Sequence, residues 1–311
     1  MGARGTHLLR SRDLNQAGSA SPTNPIRGAT NNSFTTVASR VPVQGFGAFP
    51  GVVAFESAGT NWYNGLETSL HQRLSHGLQF QVSYTFSKDL ATDLTSTTGP
   101  NGGNALFGDQ NAFLRRYGPD NFNRQHRFVA SYLYALPGPK DLTSALGRLA
   151  GGWSVSGVSV FQSGHALTIT TQSPFNAFGM SQDFPQLAQG CTRIANPGGV
   201  EKNLNGYFNK TCFTSLPLVG PDPLTTGFGN AGVGIVTGPG QINTDMALSK
   251  KFAVGWPVEA SNLEFRTEFF NLFNHPQFSD PVTNLSSATF GKIQSTAVNP
   301  RVIQFALKYA F

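Results

Sequence analysis

Charged residues, cysteines and long apolar runs are all scarce in this sequence. Charged side chains make up 12% of its 311 residues, about half of the roughly 25% that is usual in soluble domains. No apolar run reaches the about 18 residues that a transmembrane helix needs, which excludes a helical membrane bundle. The formal charge is +6, but Lys and Arg are scattered. We therefore expect no nucleic-acid partner.

The sequence also lacks the patterns that carry chemistry. Its six histidines show no zinc-binding spacing, and no Gly-x-Ser-x-Gly, P-loop or dinucleotide-binding pattern occurs. We expect no enzyme activity, no metal site and no cofactor. The N-terminal residues include no apolar core of a secretory signal, so we expect none in this chain. The two cysteines, Cys191 and Cys212, predict one disulfide in an oxidising compartment, with two unpaired thiols as the alternative.

Glycine and phenylalanine are abundant, with 35 and 26 residues, yet the mean hydropathy is only −0.18. Aromatic strands separated by polar, glycine-rich loops have this composition. Apolar residues recur at every second position, the period of one face of a β-strand. Seven segments show this alternation: 61–74, 78–86, 123–136, 152–163, 241–252, 262–273 and 301–311. In 152–163 the alternation slips near Gly157, which predicts a bulge.

The energetics of charge placement favours a membrane barrel over a soluble one. An Arg or Lys on a lipid-facing surface costs about 2–4 kcal/mol at the bilayer midplane. Charged residues that alternate with phenylalanine or leucine should therefore face a wet lumen, with the apolar residues toward outer-membrane lipid. The polar residues predicted to face the lumen are Glu67, Arg73, Glu264, Arg266 and Glu268.

The predicted connections sort by length. If the last residue is periplasmic, the shorter connections 75–77, 137–151 and 253–261 lie on the periplasmic side. The longer connections 91–122, 164–240 and 274–300 lie outside. Outer-membrane barrels have short periplasmic turns and longer external loops. The predicted fold is therefore an all-β, antiparallel outer-membrane barrel, with residues 1–60 as an external loop region and about seven transmembrane strands in 61–311.

The last strand carries an unusually regular apolar stripe. In bacterial outer-membrane proteins, a final strand of this kind resembles the signal that the barrel-assembly machinery reads. The alternative is an amphipathic edge strand of a soluble protein. The residues of the predicted assembly signal are Ile303, Phe305, Leu307, Tyr309 and Phe311.

Several stretches resemble the barrel of TonB-dependent receptors, specifically the Oar-like group. They include "GTHLLRSRDLNQ", "NWYNGLETSLHQRLSHGLQFQVSYTFSKDL", "NFNRQHRFVASYLYALPG", "GGWSVSGVSVFQSG" and "EFRTEFFNLFNHPQF". The resemblance implies a barrel of about 22 strands, of which this chain would supply the C-terminal strands, either as a portion of a larger receptor or as a truncated gene product. It also implies an N-terminal plug that contacts TonB, which we do not find in this sequence. TonB would therefore be reached only through the missing plug, and the isolated chain is not expected to form a closed transporter.

Two functions follow as expectations. The first is uptake of an unidentified solute through a receptor in the bacterial outer membrane, and the second is a non-transporting surface or adhesion protein. A soluble, secreted β-rich domain is a weaker third possibility. The aromatic residues of the external loops 91–122 and 164–240 either contact a ligand or pack the loops upon themselves.

Overall fold

The structure is a computed structural model that describes residues 1–46, 52–92, 108–139, 141–142, 144–172, 177–180, 182–214, 216, 227–258 and 261–311. Its main feature is one antiparallel sheet, in which eight long strands follow one another in chain order. These strands are β1 (Gly2–Asp13), β2 (Val53–Ser75), β3 (Leu78–Ala91), β4 (His126–Ala135), β5 (Trp153–Gln162), β6 (Gln241–Ala253), β7 (Asn262–Phe270) and β8 (Val302–Ala310). The predicted all-β antiparallel fold is confirmed.

The remaining elements are short. The α-helices are α1 (Val37–Arg40) and α2 (Ala145–Ala150), and the 3-10 helices are Phe34–Thr36, Phe113–Arg116, Glu201–Asn203 and Lys210–Cys212. The strand Gly118–Pro119 pairs with β3. Among the described residues, three further strand pairs join Ala166–Leu167 to Val236–Thr237, Thr171–Gln172 to Gln182–Asp183, and Gln186–Leu187 to Phe213–Thr214. In the described part of the chain, no helix is both long and apolar enough to cross a membrane.

The connections between the long strands differ in length at the two ends of the sheet, as predicted. At one end they are 76–77, 136–152 and 254–261, and we call this the short-turn end. At the other, the long-loop end, they are 14–52, 92–125, 163–240 and 271–301. The tightest is the turn between β2 and β3, where His76 and Gly77 have φ values of 51° and 82°. Two successive residues with positive φ are typical of a type I′ hairpin turn.

The prediction that residues 1–60 form a loop region is wrong for both ends of that range. Residues 2–13 form β1, which pairs with β2, and β2 itself begins at Val53. The sheet therefore has eight long strands rather than about seven. The first was missed because its register shifts between Gly5 and Leu8, and again between Leu8 and Leu9. Each shift moves side chains to the other face and interrupts the alternation.

The predicted bulge at Gly157 is also wrong. Gly157 pairs in unbroken register with Tyr132 on β4 and Met246 on β6. A Cβ atom at this position would lie 2.7 Å from the hydroxyl oxygen of Tyr132. The tyrosine ring therefore covers the glycine from the next strand, an arrangement that protects a glycine inside a sheet. The glycine interrupts the apolar pattern without interrupting the strand.

The register defines the two faces of the sheet. One row runs through Phe80, Tyr132, Gly157, Met246, Phe269 and Ile303, and we call its side the apolar face. The neighbouring row, Gln81, Ser131, Val158 and Asp245, lies on the opposite side, the polar face. Among the described residues, β1 and β8 each pair with one long strand, so they form the two margins of the sheet.

Candidate lumen wall and external loop cluster

The polar face encloses a cavity of about 660 Å³. Its lining runs over β2 to β7 and includes His71, Arg73, Gln79, Asp245, Arg266 and Glu268. Six adjacent strands therefore contribute to the lining of one cavity. The sheet thus presents ionisable side chains to an open cavity.

The structure places the predicted polar residues of β7 on this face. Arg266 and Glu268 form an ion pair, with 2.7 Å between Nε and Oε1. Glu264 pairs in register with Lys251 of β6 on one side and Lys308 of β8 on the other. Opposite charges directly across neighbouring strands attract one another. Lys251 and Lys308 were not singled out from the sequence, although the alternation of β6 and β8 assigns both to this face.

The other two predicted polar residues lie on β2. Arg73 lines the cavity near the short-turn end. The carboxylate of Glu67 accepts a hydrogen bond from the hydroxyl of Tyr63 at 3.0 Å. Glu67 lies in register with Thr85 of β3, which in turn pairs with Arg127 of β4. The five predicted residues therefore share one face but form two separate groups, on β2 and on β7.

Sequence reasoning missed a charged group where β1 meets β2. Glu56 accepts hydrogen bonds from Arg10 at 2.8 Å and from Arg12 at 3.0 Å. The side chain of Arg10 is 3% exposed, and a buried guanidinium requires such a partner. The pairing was hidden because residues 1–60 were interpreted as a loop. Glu56 and Glu67 are an odd number of residues apart, so no unbroken period of two places both on one face or reveals the extended strand.

The polar face is not polar throughout. Leu133 of β4 pairs with Ser156, and Val158 of β5 pairs with Ser131 and Asp245, all on the cavity side. The rule that every strand divides cleanly into apolar and polar faces is therefore wrong for β4 and β5. These two strands place aliphatic side chains on both sides, in the middle of the cavity lining.

Lys250 is an exception on the other side of the sheet. It pairs with Trp153 and Phe265, which lie on the apolar face. Its ammonium group donates to the carbonyl oxygens of Leu149, at 3.1 Å, and Gly151. These carbonyls belong to the C-terminal end of α2 and the residue after it, so the helix covers the charge. Without that cover, a lysine facing lipid would cost about 2–4 kcal/mol near the midplane and less near an interface.

The residues of the predicted assembly signal lie along β8 and just beyond it. Phe305 stacks with Phe265 of β7 at 6.1 Å between ring centroids. The Tyr309 hydroxyl donates to the carbonyl of Trp256 in the neighbouring turn, and its ring lies 5.7 Å from that of Phe311. Ile303 and Leu307 pair with Phe269 and Phe265. All five side chains are exposed in the isolated chain.

The long loops pack together into an external loop cluster, which contains most of the buried apolar residues. One group joins Leu167, Ile169, Phe208 and Val236 of the connection 163–240 to Phe290 of the connection 271–301. A second group is Phe184, Ala231 and Val233, and a third is Ala17, Val37 and Val41. The aromatic residues of these loops are thus used at least partly to pack the loops themselves. Residues 93–107, which make up about half of the predicted loop 91–122, lie outside the described residues.

Polar contacts tie the long loops to one another. Gln16 donates to the carbonyl of Gly108 at 2.7 Å and accepts from the backbone N–H of Gln110 at 2.8 Å. Arg40 donates to the carbonyls of Gly18 and Ala177, and burial lowers the pKa of its guanidinium to about 10. The Leu285 N–H donates to the carbonyl of Thr170 at 2.7 Å. Four loops therefore form one connected layer above the sheet.

The structure joins Cys191 and Cys212 in a disulfide with an S–S distance of 2.03 Å. Cys212 is buried, and the next residue, Phe213, packs against the group that contains Phe208. The disulfide therefore fixes the ends of the segment 191–212 within the external loop cluster.

Besides Arg40, the titratable groups of the loop cluster with shifted pKa values include Asp183 and His165. Burial raises the pKa of the Asp183 carboxyl to about 6, although it accepts hydrogen bonds from the backbone of Phe184 and Gly229. Burial lowers the pKa of His165, against the effect of Asp280, whose carboxylate lies 2.9 Å from its Nε2. Within the described ranges, no group of three or more His, Cys, Asp or Glu residues is placed to hold a metal ion.

Comparison with known proteins gives one match. A family model described as "Outer membrane beta barrel domain" matches residues 1–304, nearly the whole chain. Searches among curated proteins and among solved structures found no match. The matched description agrees with the antiparallel sheet, its exposed apolar face and the cavity on its polar face.

Proposed function

This chain belongs to the family of outer membrane β-barrel domains, and we propose that it forms part of the barrel wall of a TonB-dependent receptor of the Oar-like group. Membership of the family places the chain in the bacterial outer membrane. In such a receptor, the polar face borders the path of a scarce solute, which the receptor takes up with energy delivered by TonB through a plug region. It acts as a transporter rather than as an enzyme.

The observation that carries this proposal is the cavity on the polar face. Ionisable groups from β2, β6 and β7 border one concavity of about 660 Å³, and such groups stay charged only where water or a polar solute reaches them. The marginal strands β1 and β8 are consistent with a larger barrel. Unpaired strand edges are not tolerated in hydrocarbon, so further strands would complete the wall. TonB is proposed as the source of energy because the sequence resembles Oar-like receptors.

Cross-linking in living cells tests the proposal. A photo-reactive residue is placed in the full-length protein, within the plug region expected upstream of the wall, and cells are irradiated with and without a proton-motive force. A TonB adduct that depends on the proton-motive force supports a receptor. If assembled protein is present in the outer membrane and no TonB adduct forms, the transport proposal is wrong.

The external loop cluster favours a second candidate, a non-transporting surface or adhesion protein. Loops with their own apolar core and a disulfide present a fixed surface to the outside, as a binding surface requires. This candidate predicts that deleting the loop segment 191–212 abolishes attachment to a partner cell or surface while TonB is irrelevant. Attachment that is unchanged by the deletion contradicts it.

We also propose that the apolar residues of β8 are read by the barrel-assembly machinery. Phe311→Ala in the full-length protein is expected to lower the amount of heat-modifiable barrel in the outer membrane without changing synthesis. Lys308→Ala, on the polar face of the same strand, is the matched control and should leave assembly unchanged. Equal levels of assembled barrel in the Phe311→Ala variant and the parent protein contradict the proposal.

A further inference from the structure

Helix α2 lies in the connection 136–152 at the short-turn end of the sheet, which is the periplasmic end in an outer-membrane barrel. It begins at Ala145, after Ser144, whose hydroxyl accepts a hydrogen bond from the Gly147 N–H at 3.1 Å. Gly147 is its buried residue, whereas Leu146 and Leu149 are 66% and 75% exposed. Two leucines three positions apart lie on the same side of a helix. In water this side has no covering partner among the described residues.

The position of α2 is fixed by contacts with the apolar face of the wall. The carbonyl of Leu149 accepts hydrogen bonds from the indole nitrogen of Trp153 and the ammonium group of Lys250, both at 3.1 Å. Lys250 also donates to the carbonyl of Gly151 and lies 5.0 Å from the centre of the Trp153 ring. Trp153 and Lys250 both point away from the cavity. The helix is therefore attached to the outer surface of the wall and not beneath the lumen.

The surroundings of α2 have the composition of a membrane interface. Trp153, Trp256 and Tyr309 lie at the same end of the sheet, and Trp256 is 73% exposed. Tryptophan and tyrosine are enriched where barrel walls meet the lipid headgroups. Arg148, which is exposed on α2 between the two leucines, supplies a charge that suits an anionic headgroup. The exposed side of α2 is thus continuous with the lipid-facing surface of the wall.

From this geometry we propose that α2 is an interfacial anchor, whose Leu146 and Leu149 enter the phospholipid of the periplasmic leaflet. Trp153 and Lys250 are positioning residues, because they hold the last carbonyls of the helix against the wall. The lysine is compatible with the apolar face because the helix caps it, and the helix stays at the interface because the lysine holds it there. The proposal depends on residence in the outer membrane and is independent of whether the barrel transports a solute.

Depth-dependent fluorescence quenching tests the anchor. A fluorescent label is attached to Leu149→Cys in the full-length protein, reconstituted into vesicles of phosphatidylethanolamine and phosphatidylglycerol. The native cysteines are joined and do not compete for the label. Leu114→Cys is the matched control, because Leu114 is a leucine of similar exposure, 71%, in a short helix at the long-loop end.

We expect a nitroxide on the acyl chains to quench the label at position 149 severalfold more than the label at position 114. Iodide in the water should show the reverse order. Acyl-chain quenching at position 149 that is no greater than at position 114 overturns the proposal. This measurement does not depend on any change to the residues that hold the helix.

A second set of variants tests the positioning role of Lys250. Lys250→Gln is expected to lower acyl-chain quenching of the label at position 149 and to raise its quenching by iodide, and Lys250→Arg should restore the parent pattern. Lys251→Gln is the control, because this neighbour lies on the polar face opposite Glu264. Quenching that is the same in the Lys250→Gln and Lys251→Gln variants overturns the positioning role, and the heat-modifiable shift verifies that each variant has assembled.

Discussion

Phe290, in the connection 271–301, and Phe305, in the strand β8 that follows it, are close in the sequence, yet their side chains are 1% and 68% exposed. Phe290 packs between Phe208 and Phe213 in the external loop cluster, with ring centroids at 5.2 and 5.8 Å. Phe305 lies on the apolar face of the wall, where its ring contacts Phe265 and otherwise faces outward. Phenylalanine thus packs against other side chains of the protein in the loops, whereas in the wall it faces the surroundings of the sheet.

This difference extends to the whole molecule. Nearly all of the buried apolar residues of the described chain lie in the long loops, whereas the apolar side chains on the apolar face of the strands are largely exposed. The loops are folded by the hydrophobic effect in water, as in a small soluble domain. The wall instead requires hydrocarbon as its solvent, because burial of its apolar face takes place against lipid. The two regions should therefore respond differently to the same kind of substitution.

The largest effect is expected from Phe290→Ala. Removal of a fully buried phenylalanine costs about 3–5 kcal/mol, which should unfold the loop cluster locally while the wall remains assembled. Limited proteolysis of intact cells measures loop opening, and the heat-modifiable shift measures the wall. Phe273→Ala is the control, because this residue of the same connection is exposed. Loss of the assembled wall together with the loops would show that the two regions do not unfold independently.

A somewhat smaller effect is expected from Phe305→Arg. An arginine on the lipid face destabilises a barrel by about 2–4 kcal/mol at the bilayer midplane and less toward the interfaces. Gln304→Arg, one residue away on the polar face, should change the folding free energy very little. Urea titration of folding into vesicles measures both variants. Equal destabilisation by the two arginines would show that the faces are not solvated as described.

The smallest effect concerns pH and is confined to the loops. Because the pKa of Asp183 is raised from 3.8 to about 6 in the folded protein, the folded state holds its proton more tightly than the unfolded state. The contribution to loop stability is fully present below about pH 4 and is lost as the pH rises through about 6, by at most roughly 2–3 kcal/mol. Proteolysis of the loops at graded pH measures it, and Asp183→Asn should remove the dependence. A wall stability that changes over the same range in step with the loops would contradict the assignment.

The two regions also differ in how far the sequence predicts them. Seven of the long strands are predicted from alternation, because a wall between lipid and water favours a period of two, although β4 and β5 follow it only on one face. The terminal residues Phe305 and Leu307 and the charged residues Glu264 and Arg266 all fall on the predicted faces. β1 escapes prediction since its two register shifts move residues to the opposite face.

The loop cluster is much harder to predict. Its core combines Ile169, Phe208 and Phe290, which are far apart in the chain and follow no period. Contacts such as that of Arg40 with Ala177 depend on how separate loops meet in space. No local pattern specifies them, so the sequence predicts that these loops are long but not that they are packed. Lys250 is unpredictable for the same reason, because its partner is a helix from another connection.

The length of β2 has a consequence for how this protein meets its surroundings. The strand has 23 residues, and at about 3.3 Å per residue it is far longer than a tilted crossing of the apolar band, which is about 25 Å tall. Its first residues, from Val53 onward, pair with the end of β1 and extend beyond the bilayer as a two-stranded ribbon. A molecule that approaches from outside therefore meets this two-stranded extension before it reaches the membrane-spanning part of the sheet.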